Sequence, residues 1–162
     1  MHLAVSHSEL ANFLVSAKRR TYAAGGSDSE TAVLPQLLGS HQLEHRSGDF
    51  FYRDIYFGEA QFAGQEIVCL RDTPIWAMCY AGGFTAALRD PTEAEKVGGF
   101  LQAALRQVSP ERPFRGPSLL VDGEYEYADK TEGNIECFQG TEAISRGGVA
   151  VYRLHYCGGR LR

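Results

Sequence analysis

The chain repeats itself. Tyr52, Asp54 and Gly58 recur as Tyr127, Asp129 and Gly133 at an offset of 75 residues. One inserted residue then moves the offset to 76, and Phe62, Gly64, Glu66, Trp76, Tyr80, Gly82 and Gly83 align with Phe138, Gly140, Glu142, Tyr152, Tyr156, Gly158 and Gly159. The amphipathic segment ahead of each copy also matches, Phe13-Leu14 and Ala17 against Phe100-Leu101 and Ala104. A repeated unit of this size buries its apolar face against its twin. The pattern therefore predicts one pseudo-twofold domain over residues 1–162, with halves at 1–83 and 84–162 and a concave site at their junction. A chain of 162 residues buries roughly two thirds of its unfolded surface, enough for one shared core.

Each half reads as a helix followed by strands. Ser8 is placed to cap a helix to about Arg20, with Leu10, Phe13, Leu14 and Ala17 on one face. Lys18-Arg19-Arg20 then falls at the helix end, where cations favour the dipole. Ala23 to Ser40, with Gly25-Gly26-Ser27-Asp28-Ser29 and Pro35, reads as a long loop able to cover a site. Strands are expected at about Asp49–Phe57, Gln65–Arg71 and Ile75–Ala81, with Asp72-Thr73-Pro74 as a turn. Thr92 and Glu95 have capping-box spacing for a second helix carrying Val97, Phe100, Leu101, Ala104, Leu105 and Val108. Strands recur at about Ser118–Lys130, Ile135–Gln139 and Val149–Cys157. The expected fold is α+β: a tandem αβββ repeat forming a mainly antiparallel, six-stranded curved sheet with two helices on one face.

Alternation assigns the strand faces. Glu126, Ala128 and Lys130 look solvated, so Tyr125, Tyr127 and Asp129 point inward, as do Phe50, Tyr52, Asp54 and Tyr56 by symmetry. The inward face then carries Asp54, Glu66, Asp129 and Glu142 among Tyr52, Trp76, Tyr80 and their repeat-mates. Carboxylates on an apolar face are costly unless bonded or paired. They either fix the scaffold through tyrosine hydroxyls and backbone amides, or line a ligand pocket with aromatic walls. On the second reading the chain is a small-molecule-binding module for a cationic or aromatic effector, with Asp54, Glu66, Tyr52, Trp76, Tyr80, Asp129 and Glu142 as its contacts.

Two alternatives follow from other residues. The outward residues Phe51, Ile55, Phe57, Ile75, Ala77 and Cys79 are apolar where the second half is polar, which suits a protein-interaction or homodimer face. Asp54 paired with Glu66, or with Asp129, would suit carboxylate-based hydrolysis if water reached them.

Other classes find little footing. A net charge of −4 argues against a nucleic-acid surface. No apolar run is long enough to cross a bilayer and no secretion signal is evident, so a cytoplasmic setting is expected. Cys69, Cys79, Cys137 and Cys157 show no CxxC and read as free thiols. His41-Gln-Leu-Glu44-His45 has an HxxEH spacing, but that zinc chemistry needs a helix and a further carboxylate, and this segment reads as loop or strand entry. No metal or cofactor is expected.

With these motifs in view, the chain resembles an uncharacterised family of small, mostly bacterial proteins. The resemblance rests on Ala17-Lys18-Arg-Arg-Thr21-Tyr22-Ala23, Gly48-Asp49-Phe50-Phe-Tyr52-Arg-Asp54-Ile-Tyr56-Phe57-Gly58, Phe62-Ala-Gly64-Gln-Glu66, Pro74-Ile-Trp76-Ala-Met78-Cys-Tyr80, Arg115-Gly116-Pro117 and Phe138-Gln139-Gly140-Thr-Glu142-Ala-Ile144. Some relatives resemble this domain fused behind a helix-turn-helix module, which implies effector sensing. Within these 162 residues no such module is expected beside this domain.

Overall fold

The computed structural model describes residues 5–26 and 30–162. The predicted loop residues Ser27, Asp28 and Ser29 lie outside the described residues. Two α-helices lie against an eight-stranded antiparallel open sheet, so the expected count of six strands was too low. The elements run α1 (His7–Arg20), a 3-10 turn (Tyr22–Ala24), β1 (His41–Ser47), β2 (Phe50–Gly58), β3 (Gln61–Leu70), β4 (Thr73–Phe84), α2 (Pro91–Leu105), β5 (Leu119–Asp122), β6 (Tyr125–Asn134), β7 (Cys137–Arg146) and β8 (Val149–Arg160). The strand order is β1-β2-β3-β4-β8-β7-β6-β5. Each set of four strands is a meander of hairpins, and the two sets meet along β4 and β8.

The two strands the sequence reading lacked are the sheet edges. β1 has a polar sequence with little β-propensity, and it is held by its ladder to β2. β5 and β6 read as one strand from Ser118 to Lys130, but a two-residue loop breaks them. Gly123 takes φ +59° between the paired Asp122 and Tyr125, as Gly48 takes φ +57° between Ser47 and Phe50. A positive φ at the first loop residue alone is the type II′ geometry that matches strand twist. The β3–β4 turn is Arg71-Asp72, both at positive φ, rather than Asp72-Thr73-Pro74, and Pro74 lies inside β4.

Helix starts also shifted. Ser6, not Ser8, caps α1 and forms a capping box with Glu9. Asp90 caps α2 by accepting from Thr92 N, and Pro91 takes the first helical position, so Thr92 and Glu95 form no box. Pro91 lacks the N–H that would be unsatisfied there.

Leu10, Leu14 and Ala17 of α1 and Val97, Leu101 and Ala104 of α2 share one buried cluster with Tyr52, Val68, Trp76, Met78, Tyr127, Ile144, Tyr152 and Leu154 of the sheet. Both helices therefore cover the same face. Sealing a side chain such as Leu14 stabilises the fold by about 1.5–3 kcal/mol. The opposite sheet face faces solvent through Glu126, Lys130, Gln139, Arg153 and His155.

Candidate functional site: a polar cluster behind an aromatic pocket

Alternation along the strands aims one carboxylate from each of β2, β3, β6 and β7 under the helices. Register then sets them side by side, Asp54 opposite Glu66 and Asp129 opposite Glu142. All four are 1–3% exposed. Every residue expected to contact a ligand lies on this inward face and is buried, Trp76 completely. Trp76 stacks on Phe138 at 5.6 Å and belongs to the packed core.

Each half satisfies its carboxylates by the same plan. Tyr80 Oη donates to Asp54 Oδ1 at 2.6 Å, and Tyr156 Oη donates to Asp129 Oδ1 at 2.8 Å. Glycine makes this reach possible. A Cβ at Gly64 would lie 2.6 Å from the Tyr80 ring, so only the absent side chain lets Tyr80 lie across β3. Glu142 accepts from Tyr127 at 2.6 Å, from Tyr152 at 2.8 Å, and from Arg115 in a fork at 2.9 and 3.1 Å. Glu66 pairs with Lys18, which also donates to Phe114 O at 2.8 Å, and it interacts with the Tyr52 hydroxyl.

Lys18, Arg19 and Arg20 do fall in the last turn of α1, as expected, but Lys18 is buried. It lies at the i+4 and i+8 positions from Leu14 and Leu10, on the buried stripe. Burial lowers its pKa, and Glu66 opposes that shift. Arg115 meets the same burial penalty, but Glu142 and the surrounding tyrosines hold its pKa above the ordinary value.

The halves differ in one respect. Asp129 is also met by Arg112 Nη2 at 2.9 Å. Among the described residues no ion pair reaches Asp54. Lys18 and Arg115 supply two positive charges to a centre holding three carboxyls, Asp54, Glu66 and Glu142. Burial, with Glu66 beside it, pushes Asp54 up to about 7. Burial raises Asp129 only to about 6, held back by Tyr156 and Arg112.

Two cavities flank this centre. The inner one, about 20 Å³, is bounded by Lys18, Tyr52, Glu66, Phe114 and Arg115 among others, space for about one water. The outer one, about 230 Å³, is lined by Tyr22, His41, Tyr56, Glu59, Phe62 and Tyr80, with Gly58 at the β2 end. Its walls are mutually braced. His41 stacks on Tyr56 at 4.9 Å, and Phe62 meets Tyr80 edge-on at 6.1 Å. The Arg115 guanidinium lies 5.9 Å from the Tyr22 ring and 5.8 Å from the Tyr80 ring.

Tyr80 is the one sequence-predicted contact that lines this pocket, and Asp54 sits directly behind it. Tyr52 and Glu66 line only the inner cavity. Asp129 and Glu142 are locked in the second half's network. Sequence reasoning missed Tyr22, His41, Glu59 and Phe62 as pocket walls, and Lys18 and Arg115 as the cations of the centre. The Lys18-to-Tyr22 and Arg115-Gly116-Pro117 motifs were the available signal.

His41 and His45 both lie in β1, and no cluster of three or more His, Cys, Asp or Glu among the described residues is arranged to hold a metal. No described helix is long and apolar enough to cross a membrane. On the outward face, Phe51 is covered by the guanidinium groups of Arg46 at 3.9 Å and Arg53 at 5.1 Å, while Phe57 stays 44% exposed.

The chain belongs to a family described as a domain of unknown function (DUF5680), whose sequence model matches residues 54–161. No curated protein and no solved structure matches the chain.

Proposed function

We propose that this member of the family is a small-molecule-binding module whose site is the pocket walled by Tyr22, His41, Tyr56, Phe62 and Tyr80. The ligand class is a small organic cation with an apolar body. One observation carries the reading: Asp54, a carboxyl without its own cation, hydrogen-bonded to the back of an aromatic wall. Donation from Tyr80 Oη to Asp54 enriches the Tyr80 ring in electron density, which strengthens attraction of a cation to its face. Glu59 adds a carboxylate at the lining itself. A bound cation would also balance the third carboxyl of the centre and favour ionised Asp54.

The two units, each a helix followed by four strands, are read as products of one duplication, supported by the paired Tyr–Asp networks and the mirrored strand order. The pocket was kept open on the half where the cation equivalent to Arg112 is missing. A cytoplasmic effector sensor is the setting that suits such a module.

Benzyltrimethylammonium is the probe, with its uncharged carbon isostere neopentylbenzene as the control. Isothermal titration is expected to show binding of the ammonium alone, lost in Tyr56→Ala and weakened in Asp54→Asn. Equal binding of both compounds, or of neither, would sink the proposal.

A second reading, an interaction surface, is favoured by the segment between the 3-10 turn and β1. There Leu34 and Leu38 are 91% and 101% exposed, with Val33 and Leu37 beside them. Light scattering that gives a monomer for wild type at high concentration would remove its homodimer form. Acid–base hydrolysis is not favoured, because Asp54 and Glu66 are sealed and Glu66 opens only onto the inner cavity.

A further inference from the structure

The solvent face of the sheet carries an open groove of about 660 Å³ running across β4, β8, β7 and β6. At its floor Cys79 of β4 is the register partner of Cys157 of β8, and both thiols are exposed and reduced. Directly paired residues project on the same side of a sheet. The ladder phase is fixed by Leu161 N donating to Ile75 O and Thr85 N donating to Val151 O. Odd-numbered β4 residues therefore sit in hydrogen-bonded pairs, and Cys79–Cys157 is one of them. Such pairs hold Cα atoms about 5.5 Å apart, inside the roughly 4.4–6.8 Å range that disulfides span. The Cβ separation of cross-strand neighbours, about 4.5–5.5 Å, is on the long side for a disulfide, so the bond would be strained and easily reduced.

The lining adds recognition. Gln65 Nε2 donates to Cys79 Sγ at 3.5 Å, which orients the thiol on the groove floor. Lys130 and His155 can meet carboxylates and Glu132 an amine, the charged groups of a small thiol peptide.

We propose that Cys79 and Cys157 form a redox-active dithiol that exchanges with a low-molecular-weight peptide disulfide bound in this groove. One thiolate attacks a sulfur of the small disulfide, forming a mixed disulfide and releasing one thiol. The second protein thiolate then attacks the mixed disulfide, forming the Cys79–Cys157 bond and releasing the second thiol. Two protein thiols are oxidised, one small disulfide is reduced to two thiols, and the two protons pass to the departing thiolates.

The test uses the full chain with oxidised glutathione, read by mass spectrometry and peptide mapping. The expected product is lighter by two hydrogens, links Cys79 to Cys157, and returns to the dithiol with excess reduced glutathione. Cys157→Ser is expected to stop at a glutathione adduct on Cys79, while Cys69→Ser with Cys137→Ser cyclises like wild type. Lys130→Ala should slow oxidation by glutathione disulfide several-fold and leave oxidation by uncharged hydroxyethyl disulfide unchanged. Persistent adducts on wild type without a bridge, a bridge through Cys137, or no reaction would each overturn the proposal. Equal slowing with both disulfides would overturn the groove's part in it.

Discussion

At the scale of a single residue, Asp54 makes stability depend on pH. It holds its proton up to about pH 7 in the fold, against an ordinary value of 3.8. Between those values the unfolded chain has released the proton and the folded chain keeps it. Stability therefore falls as pH rises through that window and levels off above it. One proton held in excess costs about 1.4 kcal/mol for each pH unit crossed. Asp129, raised to about 6, contributes with the same sign. Asp54→Asn keeps an acceptor for Tyr80 and removes the titration. Urea unfolding at pH 5, 6, 7 and 8 should show a shallower decline for the variant than for wild type. The variant should gain relative stability toward pH 8, and parallel curves would show that Asp54 ionises normally.

The inward placement of these carboxylates was legible because strands have a period of two and the repeat supplied two readings of it. Their partners were less legible. Lys18 could have been found, since its helical spacing puts it on the apolar stripe. Arg115 was marked only by the Arg115-Gly116-Pro117 motif, because the coil between α2 and β5 has no period and its direction is set by packing against Glu142.

At the scale of elements, the helix starts show which local rule prevailed. Ser8 and Thr92 were reasonable caps by residue type. Ser6 and Asp90 won because each has the extended backbone of a cap, and Ser6 also has Glu9 at the matching position. Asp90→Ala should lower stability by about 1 kcal/mol, while Thr92→Ala should change it by no more than a few tenths of a kcal/mol in the same unfolding measurement. A larger loss from Thr92 would mean that the helix begins later than described. The edge strands β1 and β5 were illegible for a related reason. β1 is polar and β5 is short, so neighbour pairing rather than propensity makes them strands. The pocket inherits this gap, since His41 opens β1.

At the scale of the molecule, the strand order reads the same from either edge, and the halves join only along β4–β8 within the sheet. Either half can therefore come first in the chain without changing a single strand pairing. Residues near the two ends already touch: Arg160 Nη2 donates to Val5 O at 2.6 Å. A circular permutant that starts in the segment between β4 and α2, bridges residues 160 and 5 with a few glycines and serines, and ends after β4 should fold to the same sheet. Its circular dichroism should overlay that of the parent, and benzyltrimethylammonium should bind both alike. The order in which the halves leave the ribosome would be reversed, while the molecule they build stays the same.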